Sequence, residues 1–279
     1  MNVDANGSIY SVALRATGRL ADVQRAAIAS LPGRFRLAAG AADVVVLNPT
    51  PGTWPSDLER ALDQGAQAVL VAGRALAATG AARASLERAA AARIPVLLDT
   101  PYAGAVSWRS VSATVAADVD PEGVVDSVVT WPADDPDQAG ARGRALLDQL
   151  AVIRPLLGDS AAWLRLVNSS AGGYELVADD GPVATLTGVR APVLTRLDVD
   201  VVTSRQHWRI RFDSGAPARP VVIERMDSDG IASRPLRYEG AARATWARLH
   251  DQLTGQEPIQ VEEVFLGDLE LATSLFPLR

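Results

Sequence analysis

The sequence predicts an α/β fold in two parts. A Rossmann-like parallel-sheet domain covers residues 1–105, and an α/β domain with an open, mainly antiparallel sheet covers 106–279. Three observations lead there. Between residues 8 and 104, short apolar runs alternate with segments of helical periodicity. Beyond about Val106, strand-like runs follow one another directly, joined by turn signals such as Ala171-Gly172-Gly173 and Asp227-Ser228-Asp229-Gly230. Apolar residues make up 48% of the 279, enough to bury two sheets.

The elements follow in order. Ser8–Leu14 reads as a short strand. Leu20, Val23, Ala27 and Leu31 recur at helical spacing, and Pro32-Gly33 stops that helix. Arg34–Ala39 is a short strand and Asp43–Leu47 a buried one, with no room for a helix between them. Asn48-Pro49-Thr50-Pro51-Gly52 is a turn. Ser56 or Asp57 caps a helix that ends at Gln64-Gly65. Strand Ala68–Val71, the Ala-rich helix Gly80–Arg93 and strand Ile94–Leu98 complete the set. Strands separated by such helices imply right-handed crossovers and a parallel sheet.

Val106–Val119 alternates, Val124–Trp131 is strand-like, and Asp137–Leu157 is one helix. Strands are then expected at Trp163–Asn168, Tyr174–Ala178, Val183–Val189, Leu194–Thr203, His207–Phe212 and Val221–Met226. Gly240–Leu253 and Leu266–Phe276 read as helices, the last a candidate to return to the first domain.

Composition excludes several chemistries. All 27 residues counted as Lys or Arg are Arg, and there is no Cys. A lysine Schiff base, a lysine general base, a thiolate nucleophile and a disulfide are therefore impossible. The formal charge of −6 argues against nucleic-acid binding and against docking on anionic lipid. No apolar run approaches the roughly 20 residues of a membrane span. The polar Met1–Gly7 lacks the pattern of a secretory leader, so a cytoplasmic location is expected.

The segment ADVVVLNPTPGTWPSDLERALDQGAQAVLVAGRALAAT, together with ATWARLHDQLTGQEPIQVEEVFLGDLELATSLF near the end, resembles the glucose–fructose oxidoreductase/inositol dehydrogenase (Gfo/Idh/MocA) family. By pattern the likeness extends over about two thirds of the chain. It implies NAD(P)-dependent oxidation of a sugar or polyol on a two-domain fold. The family's Glu-Lys-Pro motif falls on Ala72, Gly73 and Arg74, so its lysine is absent. Its glycine-rich turn falls on Leu14-Arg15-Ala16-Thr17-Gly18-Arg19, with one glycine. Its histidine after the T-P-P turn becomes Trp54. GRALLDQLAVIRPLLG resembles its second catalytic helix, with Asp148 but no His.

Three functional readings follow. The first is a degenerate homologue without nicotinamide, acting as a structural or regulatory subunit. It would form a homo-oligomer or hetero-oligomer through the C-terminal sheet, the partner being an active paralogue. The second is an atypical NAD(P)-dependent oxidoreductase. The third is a cofactor-free lyase, isomerase or cyclase in the inherited cleft. The candidate catalytic residues are Asp99, Tyr102 and Asp148. Thr17, Gly18, Asn48, Thr50, Trp54 and Arg74 would line a retained cofactor site. His207 and His250 read as structural, and no metal site is expected because three or four convergent ligands are lacking. Of the six Trp, Trp108, Trp131, Trp163 and Trp208 are placed on strands, and Tyr174, Trp208 and Arg209 are candidates for an interface.

Overall fold

A computed structural model describes residues 9–135, 137–158, 164–178, 181–192, 195–213, 220–259 and 263–277. The described residues fall into two compact units. The first runs through Asp99 and takes in Ala242–Thr273. The second comprises Thr100–Ala241 and Ser274–Pro277. Both closing helices are therefore mainly part of the first unit.

The first unit begins β1 (Tyr10–Leu14), α1 (Gly18–Ala29), β2 (Phe35–Leu37), β3 (Val44–Leu47), α2 (Trp54–Asp63), β4 (Ala68–Val71), α3 (Thr79–Ala91) and β5 (Val96–Leu98). The strands form one sheet in the order β2-β1-β3-β4-β5, with every pair parallel. All four residues of β3 and all four of β4 are buried, as both-face coverage requires.

The chain crosses from β2 to β3 in six residues, 38–43, without a helix, as the sequence indicated. Register explains how. Leu37 ends β2 level with Val12, and Val44 starts β3 level with the same residue on its other side. The chain need only step across one strand, not return along it. Asp43 fastens the step. Its Oδ2 accepts from the Ser11 amide at 2.8 Å and the Ser11 hydroxyl at 2.6 Å, and its Oδ1 accepts from Gln67 at 2.8 Å. The side-chain and then the backbone bond from Ser11 hold the Asp43 carboxyl below its ordinary value.

The second unit opens with α4 (Val106–Arg109) and α5 (Ser112–Asp118), then β6 (Val124–Pro132) and α6 (Gln138–Leu157). The alternation over Val106–Val119 is thus helical. Trp108, Val111 and Val115 recur at helical spacing and are its buried apolar residues. Asp137 caps α6 by accepting from the Gly140 amide at 2.9 Å.

β7 (Arg165–Ser170), β8 (Gly173–Ala178), β9 (Val183–Ala191), β10 (Arg196–Val202), β11 (His207–Asp213), β12 (Val222–Asp227) and β13 (Gly230–Ser233) follow. With β6 they make an eight-stranded sheet, β13-β12-β11-β10-β6-β9-β8-β7, antiparallel except where β6 meets β9. β13 was not foreseen. The expected strand starts at Trp163 and Leu194 lie outside the described residues.

One face of this sheet is core. Val125, Val129, Leu186, Leu197, Val199, Trp208 and Ile210 are buried, with α6 against β6 and β9. The other face carries Asp126, Asp198, Asp200, His207 and Arg209. Tyr174 and Trp208 lie in the core, so they do not mark an exposed interface, and Trp108 lies on α4 rather than a strand. His207 Nε2 meets Asp200 at 2.6 Å on the open face.

α7 (Ala241–Leu253) and α8 (Glu263–Leu275) close the chain. Trp246 and Leu249 of α7 join Ala21, Ala27 and Ile28 of α1 over Val12, Val44, Val46 and Leu70 of the sheet. His250 sits edge-on to Tyr10 and Phe35, and burial, then Arg34, holds its pKa below 6.5. No helix among the described residues is long and apolar enough to cross a membrane. No group of three or more His, Asp or Glu among them is placed to hold a metal ion.

Candidate functional site

In an open parallel sheet, ligands bind outside the carboxyl ends of the strands, where the order reverses. Here the reversal lies between β1 and β3. The strand ends are level. The Arg15 amide donates to Val46 O, the Ala72 amide to Leu47 O and the Asp99 amide to Val71 O, each at 2.9 Å. The turns after β1, β3, β4 and β5 therefore leave the sheet together.

Thr17 and Gly18 are exposed on the first turn. Thr17 occupies the cap position of α1 without a side-chain cap bond, and Gly18 opens the helix at φ 58°. The Arg15 guanidinium is engaged by the Gln64 side chain. On the second turn, the Asn48 amide donates to the Thr50 hydroxyl at 3.3 Å. The structure thus brings Thr17, Gly18, Asn48 and Thr50 to one edge.

Trp54 and Arg74 are turned away from that edge. Trp54 is fully buried, its indole donating to Ala75 O at 3.1 Å and its ring 6.0 Å from Phe265 of α8. Arg74 is buried 3.5 Å from Asp268 of α8, with its guanidinium 5.2 Å from the centre of the Phe265 ring. Between them in the chain, Gly73 takes φ 138°, a conformation that side chains rarely adopt. A Cβ there would lie 3.2 Å from Pro49 Cγ.

Asp99 follows β5, yet its side chain points inward and the residue is buried. Gln24 of α1 donates to it at 2.7 Å and Thr245 of α7 at 3.3 Å. The Trp246 indole in turn donates to Gln24 at 2.7 Å. Burial raises the Asp99 carboxyl above its ordinary 3.8, against the pull of the Gln24 and Thr245 bonds.

The folded state therefore holds this proton more tightly than the unfolded chain. Its contribution is fully present below pH 3.8 and is lost as pH rises through the higher folded value. Asp99→Asn removes the charge while its oxygen can accept from Gln24 and its amide can donate to the Thr245 hydroxyl. We expect the variant to be more stable than the parent at neutral pH, with the gap closing in acid, read as urea midpoints across pH. A gap independent of pH would show that Asp99 is not the titrating group.

Tyr102 and Asp148 belong to the second unit. Tyr102 is buried with its ring 5.6 Å from Phe212. Asp148 lies on α6, next in sequence to the fully buried Gln149. Gln149 donates to Ser127 Oγ at 2.9 Å and accepts from the Tyr174 hydroxyl at 2.9 Å. Burial, then the charge of Asp148, pushes the Tyr174 phenol well above 10.0, so it stays protonated.

The sequence reading missed Gln24, Thr245, Gln149 and Asp268. The signal was present for two of them. Gln24 lies on the stripe formed by Ala21, Ala27 and Ile28, and Asp268 lies between Phe265 and Leu269. A polar residue on the apolar stripe of a helix needs a buried partner.

No family model and no curated relative matches the sequence. Solved structures do. UDP-N-acetylglucosamine 3-dehydrogenase GnnA from Acidithiobacillus ferrooxidans superposes with a TM-score of 0.69 at 12% identity, covering 96% of each chain. KijD10, a 3-ketoreductase from Actinomadura kijaniata in complex with TDP-benzene and NADP, gives 0.69 at 13% identity and 96% of each chain. Dehydrogenase MviM from Clostridium difficile gives 0.67 at 10%, covering 95% of this chain and 98% of that one. At such identities the likeness speaks for architecture: this chain has the two-domain fold of the Gfo/Idh/MocA oxidoreductases that its sequence resembles.

Proposed function

We propose that this chain is a non-catalytic relative of those oxidoreductases, acting as a structural or regulatory subunit. The observation that carries the reading is Gly73. It stands where the resemblance places the family's lysine, and its φ of 138° suits glycine rather than any side chain. Around it, the other candidates are engaged in structure: Asp99 with Gln24 and Thr245, Trp54 with Ala75, and Arg74 with Asp268. The residues present do not fit a dinucleotide. The turn after β1 carries Arg15, Ala16 and Thr17 where close approach of backbone to pyrophosphate calls for glycines. The open face of the eight-stranded sheet would then serve for pairing with a second copy or with an active relative.

Calorimetric titration with NADH and NADPH tests this. No heat at millimolar nucleotide is the expected result, and Gly73→Lys is expected to lose stability without gaining dehydrogenase activity. Micromolar binding would overturn the reading. It would favour an NAD(P)-dependent enzyme using the edge that Thr17, Gly18, Asn48 and Thr50 still share, since KijD10, of the same fold, is in complex with NADP.

A further inference from the structure

In the second unit, a groove of about 180 Å³ lies between the α4–α5 segment and the end of the sheet at β12 and β13. Ser107 and Ser110 line one side, Arg234 and Arg237 the other, and Val111 and Ile223 contribute apolar wall. Among the described residues no carboxylate lines it, in a chain whose net charge is −6.

Many arginines of this protein are engaged by carboxylates. Arg60, Arg83, Arg88, Arg144, Arg196 and Arg248 each pair with an acid. Arg234 and Arg237 are exposed and have no acidic partner among the described residues. Facing them, Ser107 is 7% exposed, and its hydroxyl has no hydrogen-bond partner among the described residues. Ser110 donates its own proton to Ser107 O at 2.8 Å, so its oxygen stays oriented. The Ser107 oxygen is reached from the groove, so a ligand there can meet it.

We infer that this groove is a binding site for a phosphoryl group. Two guanidinium forks and a hydroxyl, from separate segments of the chain, offer charge-assisted donors to several oxygens of one dianion. The volume admits a phosphate and the start of an attached apolar group, which Val111 and Ile223 would contact. The site is independent of the nicotinamide question, because its residues all belong to the second unit.

Inorganic phosphate is the first probe, by calorimetry and thermal shift, with sodium chloride at matched ionic strength as control. Phosphate is expected to bind and to raise the melting temperature. Arg234→Gln with Arg237→Gln should abolish the response, and Ser107→Ala should weaken it several-fold. Because both arginines are exposed, the double variant should melt with the parent in the absence of phosphate. Phenyl phosphate distinguishes the source: tighter binding assigns an organic ester, and equal binding assigns free phosphate. No response to either probe, a response retained in the double variant, or one reproduced by chloride or acetate would overturn the assignment.

Discussion

Gly188→Ala is expected to destabilise the second unit by about 3 kcal/mol or more, the scale of severe overpacking in a core that cannot give way. A Cβ at Gly188 of β9 would lie 2.2 Å from Tyr174 Cε1 and 2.3 Å from Cζ. The ring opposite, on β8, has nowhere to go. It stacks at 10° on Trp131 with centroids 5.8 Å apart, meets Phe276 at 5.4 Å, and is tethered by its hydroxyl to Gln149.

The backbone is equally closed. A Cβ on Gly173, the residue before Tyr174, would meet Gly188 O at 2.3 Å. The measurement is a urea melt of Gly188→Ala alone and in a Tyr174→Ala background. The alanine should cost much less once the ring is gone, giving a coupling energy well outside experimental error. Equal costs in the two backgrounds would show that the ring is not what glycine accommodates.

Asp268→Ala should cost about 3–5 kcal/mol, because it leaves the Arg74 charge buried without its carboxylate. Asp268 is fully buried and Arg74 is 8% exposed, so water is in little position to compensate. The pair links the turn after β4 to α8, and the Phe265 ring beside the guanidinium offers only partial replacement. Replacing both partners, Arg74→Met with Asp268→Leu, should recover most of the loss, since the penalty lies in stranding one charge rather than in losing attraction. Paired urea melts of the single and double variants read this directly. A single variant within about 1 kcal/mol of the parent would place the pair in contact with solvent.

The first sheet was legible because its strands are short, buried and separated by helices that end on recognisable signals. Ala68–Val71 was read with the same bounds that the structure shows. The missing helix before β3 was equally plain, since too few residues separate Leu37 from Val44 to make one. Val106–Val119 misled because Val, Ser and Ala suit either period, and only the burial of Trp108, Val111 and Val115 decides for helix. At the candidate site, sequence position located the turns but not the side-chain directions. Asp99 and Arg74 lie at the ends of strands where ligands usually bind, yet both turn toward helices from the far end of the chain. That outcome depends on Thr245 and Asp268, whose proximity no local pattern reveals.

The cover supplied by α7 has a consequence for the order in which the protein can be made. All five strands of the first sheet emerge from the ribosome before any of the second unit, but Trp246 and Leu249 arrive only after Thr100–Ala241 of that unit. Until then Phe35, Val44 and Leu70 lack part of their cover, and Asp99 lacks the Thr245 hydroxyl. The second unit, apart from its short return at Ser274–Pro277, is contiguous and can condense while still attached. The sheet translated first therefore waits for its cover until most of the second unit has emerged, and half-covered it is the species that a chaperone would meet on the nascent chain.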